Sequence, residues 1–543
     1  MSFLWKRQLD TYPETGPRMM YLGITVLATV MLYYELYVGG SVATLLLPKL
    51  HMTFTFYVYA IAISNLIGAF GSLFAGLTDR LGRSNLVVFG LLITAIFVLF
   101  VIPASTNKWE FIAFTYVVGV VEGICLVATP ALIRDFSPQV GRATAMGFWT
   151  SGPVLGSLVV AEVAANTIGA HPSNNFWTHE FRICGVVGLV VAAIAIIGLR
   201  ELAPGLRDQL MVTMQDRALI EARAKGIDIE ASLRNPWRQL LKGDVIISAV
   251  GISIFLLIYY TLVGFGLLYY ATVFGFSTKD SNGLLNWSWG FNVVAVVACG
   301  FLSDKLRVRK PLMVVGGVGA AVMMVVYLMQ AGHHPGYYKL AILAAILSFT
   351  LGVAYVPWMA SFTETVESHN PALTATGLAI WGWIIRVVVF GTTMILPSVI
   401  TTMNPLVQYG PQVQALATKY PAVTLPAPLL AGLAQNPTPQ RLAEAHQLLG
   451  PNYLTELIAL KNAPPADLAF LQAHGAQVAK AAADNPGKWK NWYWICFGSM
   501  IFFLLTVPMM RGRWSPKQAK ADEEAHEAMV QAELAKLGTA ATA

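Results

Sequence analysis

The sequence predicts an all-α membrane protein with twelve transmembrane helices, arranged as two parallel six-helix halves around a central cavity. Three observations lead there. The 543-residue chain is 56% hydrophobic and only 12% charged, with a mean hydropathy of +0.59, so a soluble fold of this size would lack the polar residues to cover its surface. The apolar residues fall into runs of about 20, the length of helix that crosses a hydrocarbon core about 30 Å thick. Finally, the charged turn Gly76-Leu77-Thr78-Asp79-Arg80-Leu81-Gly82-Arg83, wedged between two such runs, returns as Gly300-Phe301-Leu302-Ser303-Asp304-Lys305-Leu306-Arg307.

Backbone amides cannot stay unpaired in lipid, so each run reads as a helix. The spans fall near 20–47, 53–77, 85–104, 109–133, 143–166, 180–199, 245–274, 283–302, 311–331, 338–361, 372–401 and 491–511. Basic residues gather on one side of them. Lys6, Arg7 and Arg18 precede span 1, Arg80 and Arg83 follow span 2, and Arg134 and Arg142 lie between spans 4 and 5. Lys305, Arg307, Arg309 and Lys310 follow span 8, and Arg511, Arg513, Lys517 and Lys520 follow span 12. The excess of Lys and Arg in these loops puts both termini in the cytoplasm of a multi-pass plasma-membrane protein. Topology thus accounts for the net charge of +7 and the pI near 9.1, with no nucleic-acid partner required. Cys125, Cys184, Cys299 and Cys496 all lie inside apolar runs with no CxxC or Cys/His pairing, so neither a disulfide nor a metal is expected. The stretch from Met1 to Arg18 has no cleavable signal pattern.

The chain divides into an N-terminal six-helix half (1–200), a cytoplasmic linker with amphipathic helices (201–243), spans 7–11 of the second half (244–403), a helical insertion on the outer side (404–488), span 12 (489–513) and a cytoplasmic tail (514–543). The linker scatters Arg207, Asp208, Arg217, Glu221, Arg223, Lys225, Asp228 and Glu230 among apolar residues, a membrane-surface pattern. In the insertion, Thr438-Pro439-Gln440-Arg441 signals a helix start, Gly450 a stop, and 465–482 a second helix. The insertion reads as a spacer, with a cap over the outer mouth or a partner-docking element as alternatives.

The repeated turn is not isolated. Tyr33-Tyr34-Glu35-Leu36-Tyr37-Val38-Gly39-Gly40 in span 1 matches Tyr259-Tyr260-Thr261-Leu262-Val263-Gly264-Phe265-Gly266 in span 7, an offset of 226 residues. Arg142-Ala143-Thr144-Ala145-Met146-Gly147 before span 5 likewise matches Leu373-Thr374-Ala375-Thr376-Gly377 before span 11. Three matches at nearly one offset indicate a duplicated six-helix unit, and parallel repeats of this kind hold substrate between them near mid-bilayer.

The Gly-x-x-Asp-Arg-x-Gly-Arg turn, its degenerate copy and the 6+6 layout resemble the major facilitator superfamily of secondary transporters, over residues 18–403 and 489–511. The resemblance implies that Asp79, Arg80, Gly82 and Arg83, with Asp304 and Lys305 in the second copy, gate the cytoplasmic side. The copies depart from the pattern at Ala75 and at Arg307-Val308. Gly152-Pro153-Val154-Leu155-Gly156 in span 5 is similar to the core of the superfamily's antiporter motif; without the upstream glycine spacing it reads as a bend or a close helix contact.

Ionisable residues at mid-bilayer depth are costly and usually face a cavity. Three stand there: Glu35 in span 1, Glu122 in span 4 and Arg386 in span 11. The guanidinium of Arg386 stays charged and its planar fork fits a carboxylate, so it is the candidate anchor for an anionic substrate; the alternative is an ion pair with Glu35 or Glu122. Glu122 and Glu35 are candidate proton-coupling acids, the alternatives being a partner for Arg386 and an acid held by neighbouring tyrosines. Tyr34, Tyr37, Tyr260, Trp381 and Trp383, with Asn286 of span 8, complete the expected substrate wall. No Walker loop, HExxH, CxxC or GxSxG motif occurs, so neither enzymatic activity nor a cofactor is expected. The partners expected are a small organic anion, protons and the lipid bilayer. The sequence reading is therefore proton-coupled import of a small organic anion, a monocarboxylate, with efflux of amphipathic compounds, anion exchange and a non-transporting receptor as alternatives.

Overall fold

A computed structural model of the chain describes residues 7–71, 82–137, 148–169, 172–203, 240–306, 308–369 and 374–517, with 520, 521, 524, 525 and 528 of the tail. The first half holds α1 (Thr15–Ser41), α2 (Ala43–Lys49), α3 (Phe54–Gly71), α4 (Arg83–Ile96, continued by a π and a 3-10 turn to Ala104), α5 (Lys108–Phe136), α6 (Gly152–Thr167) and α7 (Trp177–Gly198). The second holds α8 (Gly243–Phe255), α9 (Leu257–Phe274), α10 (Thr278–Leu306), α11 (Lys310–Leu328), α12 (Tyr337–His369) and α13 (Thr374–Val399). The insertion follows as α14 (Met403–Gln408), α15 (Gly410–Lys419), α16 (Ala427–Gln435), α17 (Pro439–Leu449) and α18 (Tyr453–Lys461), and α19 (Pro465–Thr506) returns through the bundle.

Among the described residues, ten helices are long and apolar enough to span a membrane, or eleven if α2 and α3, bent by 112°, count as one broken span. The fifth predicted span appears as α6, whose described part has 16 residues and whose lead-in at 138–147 lies outside the described residues. The first predicted span ends early, at Ser41, where the chain turns into α2. The seventh is broken at Leu256 into α8 and α9.

Termini and local chemistry set these boundaries. Asn107 caps α5 by accepting the Trp109 and Glu110 amides. Gly275, at φ 75°, ends α9 in a left-handed turn that only glycine enters cheaply. Within the insertion, Thr438 caps α17 and Gly450 stops it, as the sequence signals. The helix expected over 465–482 instead runs on without a break, so α19 spans 42 residues, on the order of 60 Å, about twice a hydrocarbon core.

The halves meet where α6 packs on α10, α3 on α13, and α1 on α9. On the face that carries the insertion, Gly40 brings α1 against the Val263 carbonyl of α9, an added Cβ lying only 2.6 Å from that oxygen. Around it, Thr44 bonds Thr278 at 2.8 Å, Asn282 donates to the Ser41 carbonyl at 2.9 Å, and Asn404 of α14 exchanges bonds with Thr55. On the opposite, terminus-bearing face the ion pairs among the described residues stay within a half, as in Arg83–Asp135, Arg309–Glu364 and Arg511–Asp244, and His369 contacts Asp244 at 2.7 Å.

Candidate functional site

At mid-height the two halves face each other with tyrosines. Tyr33 and Tyr37 stand one turn apart on α1, ring centroids 5.6 Å apart, and Tyr259 and Tyr260 lie on α9 at 5.1 Å. Tyr259 bonds Tyr37 across the divide and meets the Ser157 hydroxyl of α6 at 3.4 Å, while Trp289 of α10 packs on its ring at 5.2 Å. Tyr355 of α12 lies within electrostatic reach of Tyr33 and Tyr259. Tyr33, Tyr37, Tyr260 and Tyr355 remain partly exposed in the middle of the bundle, so they border an internal space rather than packed core.

Arg386 of α13 sits at the edge of this wall, partly buried, in the field of Tyr33 and Tyr260. Its Nη1 donates to the Gly68 carbonyl of α3 at 3.2 Å. Gly68 and Gly123 allow that approach: a Cβ at Gly123 would lie 2.7 Å from the same carbonyl, so glycine there lets α3 and α5 close up beside Glu122. Among the described residues Arg386 forms no ion pair, which sets aside the alternative of a permanent bridge to Glu35 or Glu122. Glu122 is 2% exposed and, among the described residues, neither carboxylate oxygen has a hydrogen-bond partner.

The sequence reading aimed Glu35 and Tyr34 at the same chamber as Arg386, and the structure corrects this. Residues one apart on a helix point about 100° apart, so the rotation that turns Tyr33 and Tyr37 to the internal space turns Tyr34 and Glu35 into the first half. Glu35 accepts the Thr94 hydroxyl at 2.6 Å and lies against Gly188 of α7. Tyr34 is 2% exposed, with its hydroxyl in the field of Cys184 and Glu180 of α7. Trp381 packs inside its own half on Trp358 at 5.3 Å, whereas Trp383 reaches across to Phe70 of α3 at 5.9 Å. Asn286 donates to Glu162 of α6, nearer the insertion-bearing face than the tyrosine wall. Tyr33, Tyr355, Ser157 and Trp289 were not assigned to the wall from sequence. Tyr33 could have been, because it lies one turn before Tyr37.

Of the gating residues, Asp79 and Arg80 lie outside the described residues, as does the side chain of Asp304; Lys305 is exposed. Gly82, at φ 87°, opens α4, and the Glu201 carboxylate fills the position where a Cβ would stand. That carboxylate accepts the Arg83 amide at 2.6 Å. The Arg83 side chain holds both oxygens of Asp135, at 2.7 and 2.8 Å. Its counterpart in the second half is Arg309, on Glu364 at 2.9 Å and on the Ser303 hydroxyl at 2.6 Å. The offset from Arg83 to Arg309 is again 226, one residue beyond the register in which the two turns align at Asp79 and Asp304.

The sequence model of the Major Facilitator Superfamily matches residues 19–391. Similar curated proteins include multidrug resistance protein MdtL of Shewanella oneidensis, 30% identical over 192 residues that cover 35% of this chain and 42% of that protein. MFS transporter asaE of Aspergillus flavus is 25% identical over 183 residues, covering 33% and 41%. The match thus spans less than half the length of these relatives. Among solved structures, a bacterial homologue of the human lysosomal transporter Spinster, inward-facing and occupied, superposes with a TM-score of 0.57 at 15% identity over 91% of this chain and 97% of its own. A D-xylose-proton symporter gives 0.54 at 17% identity over 70% and 89%. At these identities the likeness is one of fold.

Proposed function

The chain belongs to the Major Facilitator Superfamily of transporters, and we propose that it imports a small organic anion, a monocarboxylate, across the plasma membrane by proton symport. One observation carries the reading: the mid-height guanidinium of Arg386 uses one backbone carbonyl as its partner and forms no ion pair among the described residues, beside a wall of tyrosines. A planar cation with unused donors suits a carboxylate, and aromatic faces suit its short organic remainder. Glu122, buried in the opposite half without a donor among the described residues, is the proton site. A bare carboxylate there is expensive, and carrying a proton relieves the cost. Tyr37, Tyr260 and Trp383 would contact the substrate from three helices.

Loop charge supports cytoplasmic termini, which makes the face sealed by Gly40, Thr44, Asn282 and Asn404 the outer one and the conformation inward-facing. The Arg83–Asp135 and Arg309–Glu364 pairs then brace the cytoplasmic ends of each half as the halves rock. Proton-driven efflux of amphipathic compounds is the second reading, favoured by the glycines of the Gly-Pro-x-x-Gly element packed on α1 and by relatives named as multidrug resistance proteins. Proteoliposomes with an imposed pH gradient separate the two. Accumulation of labelled short-chain carboxylate with the interior alkaline, lost in Glu122→Gln while exchange persists, is the expected result. Expulsion of amphipathic cations without carboxylate uptake would replace this reading with the second.

A further inference from the structure

Where α6 of the first half packs on α10 of the second, the seam runs in antiparallel register from the insertion-bearing face inward. Glu162 accepts the Asn286 side-chain amide. One turn further in, Leu158 faces Gly290, where an added Cβ would lie 4.0 Å from the leucine methyl carbon, and Ser157 meets Tyr259 of α9 at 3.4 Å. Glu162 lies five residues before the end of α6 at Thr167, and Asn286 eight residues after the start of α10 at Thr278, so the pair stands about 7–12 Å inside those ends. Trp287, Phe291, Val294 and Phe301 form the exposed apolar stripe of α10, its lipid side, with Trp287 and Phe291 stacked at 6.0 Å. Asn286 is one residue from that stripe, and Glu162 is itself exposed, so their bond lies where the seam meets lipid. A carboxylate is costly there, and the fold holds it from two sides. Asn166, one turn on, donates to Glu162 Oε1 at 2.9 Å and to its backbone carbonyl at 2.8 Å, while Asn286 reaches Oε2 from the opposite half.

We propose that Glu162 and Asn286 are the latch of the α6–α10 seam, joined while the insertion-bearing face is shut and parted for that face to open. The inference needs the two halves to rock against each other, as parallel-repeat transporters do, and is independent of the cargo. Asn166 is on the same helix as Glu162 and moves with it, whereas Asn286 belongs to the other half. Parting the outer ends therefore takes one of the two donors from the carboxylate at a depth where water replaces it poorly. The bonds of Thr44, Asn282 and Asn404 across this face have neutral partners, and a bond to a carboxylate is roughly twice as strong as such a bond. Glu162 is the sole charged residue in Gly152–Thr167, and the charges of α10 sit in its first turn, Lys279 and Asp280, and its last, Asp304 and Lys305. Neither helix thus offers a counter-charge within a turn of the pair, and the amide of Asn286 is what the second half supplies in its place.

The test uses the matched shapes of Glu and Gln and of Asn and Asp. Spin labels on Gly169→Cys and Lys279→Cys, exposed positions at the outer ends of the two helices, report the separation of the halves in the full-length protein in lipid nanodiscs, read by pulsed dipolar spectroscopy; the four native cysteines are buried. The wild-type protein should populate chiefly the short distance. Asn286→Asp sets carboxylate against carboxylate and should move the closed-to-open ratio about tenfold toward open, the worth of one hydrogen bond to a charged group. Glu162→Gln leaves amide facing amide and should move it by about threefold. The double variant Glu162→Gln/Asn286→Asp remakes the bond with its polarity reversed and should return the ratio to within about twofold of wild type. A double variant as open as Asn286→Asp alone overturns the latch, as does a wild-type ratio in Asn286→Asp. If Asn286→Asp does not fold, Asn286→Leu removes the donor without adding a charge; it should open the face about tenfold, and an unchanged ratio there overturns the proposal equally.

Discussion

Replacing Arg386 by alanine is the perturbation that bears most directly on the nature of the cargo. Within the described residues the guanidinium spends one of its five N–H donors on the Gly68 carbonyl, leaving a planar edge for a carboxylate. Hydrogen bonds to charged groups contribute about 1.5–3 kcal/mol each. Because Arg386 is partly exposed, the lower end of that range applies, and a two-bond contact comes to about 3 kcal/mol, or roughly 150-fold in Kd. Calorimetric titration of short-chain monocarboxylates into the purified protein reads this directly. Arg386→Lys separates charge from geometry: it keeps the former, loses the fork and should fall about tenfold short of wild type. An Arg386→Ala affinity within threefold of wild type refutes the reasoning. In that case the residue serves as a staple between α13 and α3, and the thermal midpoint of the variant should drop instead.

Three other outcomes follow from named contacts. Gly40→Ala sets a Cβ 2.6 Å from the Val263 carbonyl, a clash of about 1–3 kcal/mol that exists only while the insertion-bearing face is shut; a Thr44→Cys reporter should then label faster from that side, and unchanged labelling would mean that this contact does not hold the face closed. Asp135→Asn removes the carboxylate charge held by Arg83, 17% exposed, and should lower the unfolding free energy by about 2 kcal/mol, read as a drop in thermal midpoint, whereas Glu364→Gln should cost about 1 kcal/mol or less because Glu364 is 40% exposed; the reverse order would show that burial does not set the worth of the two pairs. Burial holds His369 below its ordinary range despite its 2.7 Å contact with Asp244, so the folded protein favours the neutral ring. Its contribution is complete above the unfolded value near 6.5 and is lost as pH falls through the lower folded value, so the thermal midpoint should drop between about pH 7 and pH 5, and His369→Gln should flatten that slope.

Much of the architecture was legible because lipid imposes simple rules. Helical runs, loop cations and the offset of 226 are all properties of the string, and the family model covers residues 19–391 of it. What the string did not carry was rotation about the helix axis. Span 1 is apolar on every side, so nothing in it said that Tyr33 and Tyr37 would turn inward and take Glu35 into the interior of the first half; the position of α6, seated by Gly152 and Gly156, decides that. Arg309 was hidden for a different reason. The second turn carries one additional residue between its aspartate and its arginine, so aligning on Asp304 placed Val308 where Arg83 should fall, and only the shared geometry, each arginine on an acid at the end of the following antiparallel helix, restored the correspondence.

The distribution of bonds explains how such a molecule can exchange conformations at small cost. Neutral contacts seal the insertion-bearing face: hydroxyl to hydroxyl at Thr44 and Thr278, amide to carbonyl at Asn282 and Ser41, amide to hydroxyl at Asn404 and Thr55. Each contributes about 1 kcal/mol, and water replaces most of it on opening, so these bonds together amount to a few kcal/mol. That is the range in which a ligand binding one state better than the other can reverse the balance. Among the described residues the charged pairs Arg83–Asp135 and Arg309–Glu364, costlier to break because a partner left behind would be buried, lie inside each half, where rocking does not disturb them. Asn404 belongs to α14, at the root of the insertion, while Thr55 opens α3 of the first half. The root of the insertion therefore contributes directly to the seal.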